Sequence, residues 1–504
     1  MNTNTSLLSN SKNGTGEHQF TRDDVLKLLQ HLDNETNKFG DELETRIEAN
    51  DPDFIREKGV SDLKNSNFNR TDLGNAKRLV KLHGKDLHFC HDWAKWLIWS
   101  GYRWKIDHTN EVERLAKDTA KYIHAEASES NNNEERKALS KWANQSESDY
   151  RISAMLNLTK SEPGIPVTPD QLDANGWLLN VKNGTINLKN GEIYPHKRED
   201  LITKLANITY DHNATYYTFM KFLHEILDNE SINFIQSAIG YSLTGDVSEQ
   251  ALFFLHGSGA NGKSTLLNVI RNMLGDYAKF TDPELLTLKE NCHPTGRADL
   301  MGVRLAITVE TEEGKQLAET FVKQITGEEK MKARFMKQDF FEFNITSKIW
   351  LAANHKPVIR GTDYAIWRRI HLIPFNTTIP KKQQDKKLAE KLNKELSGIL
   401  NWAILGCLNW QENGLEVPEE VASATQKYKN EMDTIGNFIS EYCTENQKYK
   451  IKASTLYEEY KKWCGENGEV PLSTKFFGIK LAEKGLTKKR EIAGFFYIGI
   501  GLKN

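Results

Sequence analysis

The chain has 504 residues, of which 38% are hydrophobic and 27% are charged, a balance typical of globular proteins with several cores. No stretch approaches the roughly 20 uninterrupted apolar residues of a membrane span, and the polar N-terminus lacks the apolar segment of a secretory signal. We therefore expect a cytoplasmic protein without membrane contact. The five cysteines are scattered and form no C-x-x-C pair, which argues against a disulfide framework and a zinc site.

The charge is unevenly distributed along the chain. The formal net charge is only −2, but residues 330–371 carry nine Lys or Arg against three Asp or Glu, and residues 435–504 carry twelve against eight. Clustered cations attract the phosphates of nucleic acids, whereas the total charge says little about partners. The C-terminal half is therefore where we expect basic surface.

The first two segments differ in character. Residues 1–70 begin with a run rich in Asn, Ser, Thr and Gly, which favours a partly disordered region. Residues 71–210 predict an α+β domain. Within it, aromatic and polar residues alternate around a Ser-Gly turn, which predicts a hairpin with Trp96, Trp99 and Trp104 facing a core. Stacking of these rings on nucleic-acid bases is the alternative.

The sequence from residue 111 to 432 predicts further helices and strands on both sides of the motif-bearing core. Charged helices are predicted at 111–160, and Asn-Gly turns between apolar runs predict hairpins within 176–210. Helices are predicted again at 215–245 and at 381–432, on either side of the motif-bearing core that begins at Gln250.

The strongest motif is a glycine-rich loop between an apolar strand, Ala251 to Leu255, and an amphipathic helix that begins at Thr265. It fits G-x-x-x-x-G-K-[ST] in the strand–loop–helix context that this pattern requires. The backbone N–H groups of such a loop point at phosphate oxygens, Lys263 can reach the β- and γ-phosphates, and the Ser264 hydroxyl can ligate Mg²⁺. We predict a site for ATP and Mg²⁺. Its nucleotide-binding residues are Gly257, Ser258, Gly259, Ala260, Asn261, Gly262, Lys263, Ser264 and Thr265.

Carboxylates follow the next predicted strand, Arg304 to Val309. Nucleotide triphosphatases need acids that hold the metal ion and polarise the attacking water. Glu310 leaves the strand first and is the predicted metal-side carboxylate, and Glu312 is the candidate for polarising the water. A solvated acidic loop is the alternative.

Two further strands carry the remaining catalytic candidates. The strand Lys348 to Ala353 ends at Asn354, which can hydrogen-bond the attacking water or the γ-phosphate unless it is an ordinary turn residue. Arg368 and Arg369 precede an apolar strand, and arginine offers a planar fork suited to a phosphoryl transition state. In a ring, Arg368 could reach the neighbour's nucleotide as an arginine finger. A surface salt-bridge cluster is the alternative.

In this order the motifs resemble those of superfamily 3 helicases, and most of all the phage and plasmid primase–helicase group that includes the poxvirus primase–helicase. The resemblance covers about 70–500 and rests on GSGANGKST, RLAITVETEEGK, VKQITGEEKMKARFMKQDFFEF, KIWLAANHKP and GTDYAIWRRIHLIPF. Upstream, TDLGNAKRLVKLHGKDLHF and GWLLNVKNGTINLKNGEI resemble the domain that precedes the helicase in that group. The resemblance implies an AAA+ core, a homohexameric ring, ATP with Mg²⁺, and 3′→5′ movement on single-stranded DNA.

The resemblance also implies a basic hairpin in the ring channel. The family's motif for it spans Lys323, Gly327, Lys332, Arg334 and Lys337 here. Cations near a turn can follow a phosphate backbone without reading bases. We therefore predict that Lys332, Arg334 and Lys337 bind DNA. A solvated basic hairpin is the alternative.

One departure from the family concerns primer synthesis. Members often carry a primase module at the N-terminus, but only about 75 residues precede the matching region here, and no paired metal carboxylates stand out. We therefore do not expect primer synthesis by this chain. A separate primase or a replication initiator is a candidate partner.

The last segment, 434–504, resembles a winged helix. Helices are predicted at Thr434 to Glu445 and Ser454 to Gly465, a third begins after the N-cap Ser473, and a two-stranded wing follows. Lys475 and Lys480 could face a major groove. The predicted backbone contacts of the wing are Lys488, Lys489 and Arg490. Docking of a protein is the alternative.

We therefore predict an α/β fold with an AAA+ P-loop ATPase core, an N-terminal α+β domain and a C-terminal winged-helix domain. The predicted boundaries are 1–70, 71–210, 211–376, 377–433 and 434–504. The predicted function is a replicative helicase of a phage, plasmid or other mobile element, acting on single-stranded and forked DNA in a bacterial host. The alternatives are an origin-melting initiator or loader ATPase without processive unwinding, a small-molecule P-loop kinase and a non-enzymatic DNA-binding regulator.

Overall fold

The computed structural model describes residues 68–288, 295–309, 314–327, 330–334, 340–361 and 363–503. The predicted disorder near the N-terminus, the acidic residues Glu310 and Glu312, and the predicted DNA contact Lys337 lie outside the described residues. The described chain forms two compact units. The first contains 68–83 and 116–159, and the second contains 84–115 and 160–503. The domain boundaries expected from the sequence stay predictions.

The first unit is helical. Its helices are α1 Asp72–His83, the greater part of α2 Glu111–Glu129, α3 Asn133–Ser146 and α4 Asp149–Thr159, which confirms the helices predicted at 111–160. The Asn132 side chain caps α3 by accepting hydrogen bonds from the backbone of its first turn. Buried Asn75 donates to Ser146 Oγ at 2.9 Å and accepts from Trp142 Nε1 at 3.0 Å, so this buried amide is paired on both its nitrogen and its oxygen.

The second unit begins with a four-stranded sheet. Its strands are β1 Leu87–Cys90, β2 Lys95–Trp99, β3 Trp104–Ile106 and β4 Pro166–Val167, in the order β3-β2-β1-β4. The predicted hairpin of β2 and β3 is confirmed, with Trp99 opposite Trp104. The prediction that all three tryptophans face a core was wrong. Side chains alternate between the faces of a strand, so Trp96 lies on the face opposite Trp99, and only Trp104 is fully buried.

A three-stranded meander and two helices lead to the central sheet. They are β5 Leu178–Val181, β6 Gly184–Asn187, β7 Glu192–Tyr194, α5 Tyr217–Ile226 and α6 Asn229–Leu243. The hairpins predicted at the Asn-Gly turns and the helices predicted at 215–245 are confirmed. Asp228 caps α6 by accepting from Ser231 N.

The central sheet has five parallel strands in the order β14-β8-β13-β10-β9. Between and around them lie short helices and a separate two-stranded hairpin, β11–β12. In chain order the elements are β8 Leu252–His256, α7 Lys263–Leu274, β9 Ala278–Phe280, α8 Thr295–Ala298, β10 Leu305–Val309, α9 Glu319–Ile325, β11 Lys330–Arg334, β12 Phe340–Asn344, β13 Lys348–Ala353, α10 Tyr364–Trp367 and β14 Ile370–Pro374.

Helices cover both faces of this sheet. Three helices follow it, α11 Leu388–Lys394, α12 Leu396–Asn413 and α13 Glu419–Met432, as predicted for 381–432. Phe253 and Leu255 of β8 pack with α5, α6, α7 and α12 on one face, whereas Leu252 and Phe254 pack with α9 and α13 on the other. Burial on both faces explains the continuous apolar runs of these strands. The mixed α/β class with a parallel central sheet is confirmed.

The C-terminal segment folds around an aromatic core of Phe438, Tyr460 and Phe477. Its elements are α14 Thr434–Tyr442, β15 Cys443–Lys452, α15 Ala453–Glu466, α16 Thr474–Glu483, β16 Thr487–Glu491 and β17 Gly494–Leu502. The three helices and the β16–β17 hairpin were predicted. Strand β15 was not, because the first helix stops at Tyr442 rather than at Glu445, and the chain then pairs with β17 in the order β15-β17-β16.

None of the helices in the described part of the chain has the length and the apolar character that crossing a membrane requires.

Candidate functional site

The glycine-rich loop leaves the central sheet at the carboxyl end of β8. This strand lies between β13 and β14, and the strand order changes direction beside it, because β9, β10 and β13 lie on one side and β14 on the other. In open α/β sheets, ligands bind outside the carboxyl ends of strands at such a point. The topology therefore places Gly257–Ser264 where a ligand is expected.

Two glycines give this loop its shape. A Cβ atom on Gly257 would lie 2.3 Å from the carbonyl oxygen of Phe375, and one on Gly262 would lie 2.8 Å from Ile226 Cδ1. Gly262 also has a φ of +85°, a conformation that disfavours side chains. Helix α7 begins at Lys263, two residues before the predicted Thr265, because Leu266 N already donates to Gly262 O.

The surface of the loop is open at its centre. Ser258, Gly259 and Ala260 are exposed, and so is Ser264 in the first turn of α7, whereas Asn261 is buried. The exposed Ser264 hydroxyl stands at a helix N-terminus, where the partial positive charge of the helix favours anions. The loop thus presents small side chains and a hydroxyl to solvent.

The Lys263 ammonium group is held among three acceptors. Its Nζ donates to Gly257 O at 2.6 Å, to Asn261 Oδ1 at 3.0 Å and to Asn354 Oδ1 at 3.2 Å. Burial lowers the pKa of Lys263. All three acceptors are neutral, and among the described residues no carboxylate pairs with this ammonium group.

Asn354 reaches the loop from the neighbouring strand. It directly follows β13, which pairs with β8 so that Ala353 lies opposite His256. The structure thus brings together Lys263 and Asn354, although 91 residues separate them along the chain. Asn354 is exposed and shares the open side of the loop.

Strand β10 leads to the predicted acidic motif. Val309, the last residue described before the motif, pairs with Ala352 of β13. Since Glu310 and Glu312 lie outside the described residues, their roles stay predictions. Of the two predicted metal ligands, Ser264 is the one that lies within the described residues.

Arg368 and Arg369 lie at the amino end of β14, and the glycine-rich loop lies at the carboxyl ends of these parallel strands. They precede β14, whose first residue Ile370 pairs with Leu252 and whose last residue Pro374 pairs with His256. A strand of five residues, at about 3.3 Å per residue, separates its two ends by about 16 Å. These arginines therefore lie far from the glycine-rich loop of their own chain.

The two arginines have different surroundings. Arg369 is buried, with Nε donating to Thr326 Oγ1 at 3.0 Å, Nη1 to Ala365 O at 2.5 Å and Nη2 to Gln250 Oε1 at 2.8 Å. Arg368 is exposed and donates to the same Gln250 oxygen. Arg369 is thus built into the fold, whereas Arg368 presents its guanidinium at the surface.

Sequence reasoning missed Gln250. Its Oε1 accepts from both arginines, which fixes the start of β14 against the start of β8. Gln250 belongs to no recognised motif, and its partners lie 118 and 119 residues away in sequence, so no local signal could have found it.

The strands of the basic hairpin are observed as the antiparallel pair β11 and β12. Lys332 is exposed, Arg334 is half-buried, and both cations lie over the exposed ring of Phe340, at 5.3 and 5.1 Å from its centroid. Lys323 and Gly327 were also expected in this hairpin, and that prediction was wrong. Lys323 lies in α9 and forms an ion pair with Asp363 at 2.9 Å.

The cations predicted in the C-terminal segment divide into two sets. Lys488 and Arg490 lie over the ring of Phe495 at 4.9 and 5.9 Å, and every residue of β16, Lys489 included, is exposed. Lys475 is exposed on α16. Lys480 is not on the same face, because five residues rotate a helix by about 140° beyond one turn. Lys480 forms an ion pair with Glu483 and lines a cleft with Gly361 and Trp367.

Three protein-family models match separate parts of the chain. The model "D5 N terminal like" matches residues 76–228, the "Family of unknown function (DUF5906)" matches 255–369, and "Poxvirus D5 protein-like" matches 430–497. The middle match contains the glycine-rich loop, Asn354 and the two arginines. The last match contains most of the C-terminal segment.

Viral proteins are similar over about half of the chain. The "Putative helicase L207/L206" of Acanthamoeba polyphaga mimivirus is 28% identical over 296 residues, which are 54% of this chain and 31% of that protein. The "Putative primase C962R" of African swine fever virus (isolate Tick/Malawi/Lil 20-1/1983) is 23% identical over 306 residues, 55% of this chain and 32% of that protein. These matches support a D5-like primase–helicase family.

The chain spans about a third of the length of these viral relatives. They come from viruses of eukaryotes, so the bacterial host expected from the phage and plasmid resemblance is not shown. Among solved structures, the apo A form of the NrS-1 C terminal region is similar with a TM-score of 0.46 at 9% identity, covering 85% of this chain and 99% of that one.

Proposed function

We propose that this chain is the motor of a D5-like replicative helicase, which hydrolyses ATP and moves 3′→5′ along single-stranded DNA as a hexameric ring. The observation that carries the proposal is the position of the Lys263 ammonium group, 2.6 Å from Gly257 O and 3.2 Å from Asn354 Oδ1 at the carboxyl edge of the sheet. A positioned cation beside a polar strand end is what binding and cleaving a phosphoanhydride requires.

The residues of the loop fit ATP and Mg²⁺. Glycine at 257 and 262 lets the loop pack closely against Phe375 O and Ile226, and the exposed segment between the two glycines leaves its backbone open to phosphate oxygens. Lys263 would bind the β- and γ-phosphates, and the Ser264 hydroxyl would hold Mg²⁺ together with Glu310. The metal ion supplies charge neutralisation at the phosphates. Glu312 would polarise the attacking water, and Asn354 would orient that water or the γ-phosphate.

The position of Arg368 supports a site shared between protomers. Its own loop lies about 16 Å away across the sheet, so an arginine finger at this position has to serve a neighbouring subunit. Arg369 donates all three of its observed hydrogen bonds within its own chain, which leaves the exposed Arg368 as the finger. A ring in which each subunit supplies Arg368 to the next satisfies this geometry.

The exposed cations support a nucleic-acid track. Lys332 and Arg334 on the hairpin, with Lys337 from the sequence, would follow one DNA strand through the ring. The basic β16 and the exposed Lys475 would bind the duplex or the fork, as a winged helix would. Helicase- and primase-named relatives from large DNA viruses support a role in replication.

The first test is ATP hydrolysis by the purified chain, with and without single-stranded DNA, on a sample whose mass is measured in solution. We expect hydrolysis that DNA stimulates, in a species the size of a ring. Lys263→Ala should abolish it, whereas Lys221→Ala, which removes an exposed lysine from the neighbouring helix α5, should not change it. Wild-type hydrolysis by the Lys263→Ala variant would refute the site assignment.

Two results would favour other functions. DNA-stimulated hydrolysis without strand displacement on a fork that lacks an origin sequence would indicate an initiator or loader. Hydrolysis that ignores DNA in a monomer or dimer would indicate a small-molecule kinase, which has no use for the basic hairpin.

A further inference from the structure

A second cleft with the features of a ligand site lies on the N-terminal sheet of the second unit, away from the glycine-rich loop. It has a volume of about 610 Å³ and opens on the face where β2 and β3 pair. Leu97 of β2 lies opposite Ile106 of β3 in this face. Met301, which lies between α8 and β10, closes one side.

The floor of the cleft is apolar and aromatic. Trp93, Leu97 and Trp104 line it and are buried, with exposed fractions of 6%, 1% and 1%. The Trp104 indole N–H is satisfied, because it donates to Arg198 O at 2.9 Å. The Trp93 Nε1 atom, by contrast, has no hydrogen-bond partner among the described residues. A buried donor without a partner is costly, and a ligand acceptor in the cleft would satisfy it.

The rim of the cleft is cationic. Lys95 and Lys105 are exposed, and Arg103 and Lys204 are half-buried. Among the described residues that line the cleft there is no carboxylate. Arg103 uses Nη1 to bind Asp276 and Thr203 O, but its buried Nε has no partner in the described chain. Lys105 donates to the Tyr102 hydroxyl at 3.1 Å, a neutral partner that leaves its charge uncancelled.

This combination fits one class of ligand. The apolar aromatic floor suits a nucleobase, and the exposed cations Lys95 and Lys105 at the rim suit phosphodiester groups. Mg²⁺ and Ca²⁺ prefer carboxylate oxygens, which the described lining lacks. An acidic peptide would match the rim but would leave the aromatic floor without a planar partner. The volume of about 610 Å³ lies within the range of roughly 300–1,000 Å³ that is typical of ligand pockets.

We infer that this cleft binds single-stranded DNA, with a base against Trp93 and Leu97 and with phosphates held by the exposed cations Lys95 and Lys105. The site is additional to the basic hairpin and to β16. It does not depend on ATP hydrolysis, so it can fail while the proposed motor stands, and the reverse also holds.

The test measures binding of a fluorescein-labelled oligothymidylate of about twelve nucleotides to the full chain without ATP, by anisotropy at several salt concentrations. The variant Lys95→Gln/Lys105→Gln removes two exposed cations from the rim. The matched control, Lys85→Gln/Lys182→Gln, removes two exposed cations outside the cleft. Both variants carry the same change in charge and alter no buried residue.

We expect the rim variant to bind about tenfold more weakly and the control to bind like the wild type. The slope of log K against log salt should fall by about 1.4, since each phosphate contact on a single strand contributes about 0.7. Trp93→Phe keeps an aromatic ring and removes the N–H, so it should weaken binding by about three- to tenfold. Equal affinities for rim variant, control and wild type would overturn the inference.

Photo-crosslinking locates the bound strand. An oligonucleotide that carries 5-iodouracil should crosslink to peptides from residues 86–110 in the Lys263→Ala variant as well as in the wild type. Crosslinks confined to 330–344 and 434–503 would overturn the inference. Competition by free thymidine monophosphate at an equal nucleotide concentration would also overturn it, because the cleft would then bind free nucleotides and not a strand.

Discussion

The two adjacent arginines at the start of β14 are expected to fail in different ways when each is replaced by alanine. Arg368 is exposed and shares one acceptor with its neighbour, so Arg368→Ala removes little from the folded state. Substitutions of this kind change the free energy of unfolding by about 0.5 kcal/mol or less, which shifts Tm by no more than about 2 °C. ATP hydrolysis should nevertheless fall by about 10³-fold, the effect of losing an arginine finger.

Arg369→Ala should instead destabilise the fold. The variant loses three hydrogen bonds from a buried charged donor and leaves Ala365 O without that partner. Hydrogen bonds to charged groups contribute about 1.5–3 kcal/mol each, but the loss of the buried cation offsets part of this, so we expect a net loss of about 3 kcal/mol. For a domain of this size that corresponds to a fall in Tm of about 6–12 °C, which a thermal melt would measure.

Mixing two inactive variants tests whether Arg368 acts between subunits. Arg368→Ala supplies an intact Lys263 site, and Lys263→Ala supplies an intact finger. In a random one-to-one mixture, about a quarter of the interfaces combine the two intact halves, so hydrolysis should recover to about 25% of the wild-type rate. Each variant alone should stay inactive.

Two results would refute this reasoning. If Arg368→Ala hydrolysed ATP at the wild-type rate, the residue would not be a finger. If both variants were inactive but their mixture recovered nothing under conditions of subunit exchange, Arg368 would act within its own chain, against the distance across the sheet.

Three further predictions follow from the site and the sheet. Asn354→Ala should lower ATP hydrolysis by about 10²-fold with little change in nucleotide affinity. Because Asn354 is exposed, Tm should also change little. Single-turnover kinetics measure the rate and a thermal melt measures Tm, and an unchanged rate would contradict the role of Asn354. Lys332→Gln/Arg334→Gln should reduce the salt slope of single-stranded DNA binding by about 1.4, measured by anisotropy; an unchanged slope would indicate a solvated hairpin. Burial lowers the pKa of His371, which packs between Phe234 and Phe253, from 6.5 to about 4. Its neutral form therefore stabilises the fold above about pH 6.5, and this stability is lost as the pH falls toward 4. His371→Phe should remove about 2.5 kcal/mol of the loss in unfolding free energy between about pH 7.5 and 4.5, measured by urea denaturation, and an equal loss in both proteins would contradict this.

The local chemistry of the site could be predicted from the sequence, because a strand, a glycine-rich loop and a helix follow one another within the span Ala251 to Thr265. The parallel sheet also follows from apolar strands that alternate with helices. Contacts that join distant segments could not be predicted. Gln250 gives no local sign that it accepts from both arginines, and the pairing of Lys263 with Asn354 depends on the strand order.

The burial of two charged side chains also could not be predicted from the sequence. In the sequence, Arg304 and Lys348 look like ordinary cations at the ends of strands. In the structure, both are buried and donate to backbone carbonyls. Arg304 reaches Leu178 O, 126 residues away, so its environment is set by tertiary contacts. Strand β15 was missed for a related reason. Its residues after Cys443 are mostly polar and exposed, and it is defined by pairing with β17 and not by an apolar pattern.

The central claim is tested most directly by strand displacement from a labelled DNA fork without origin sequence, with either a 3′ or a 5′ single-stranded tail for loading. A D5-like helicase motor of the proposed kind should release the labelled strand from the 3′-tailed fork in the presence of ATP and Mg²⁺, and Lys263→Ala should release none. Absence of displacement by a ring-sized wild-type protein that hydrolyses ATP on DNA would contradict the account, and displacement from the 5′-tailed fork alone would contradict its direction.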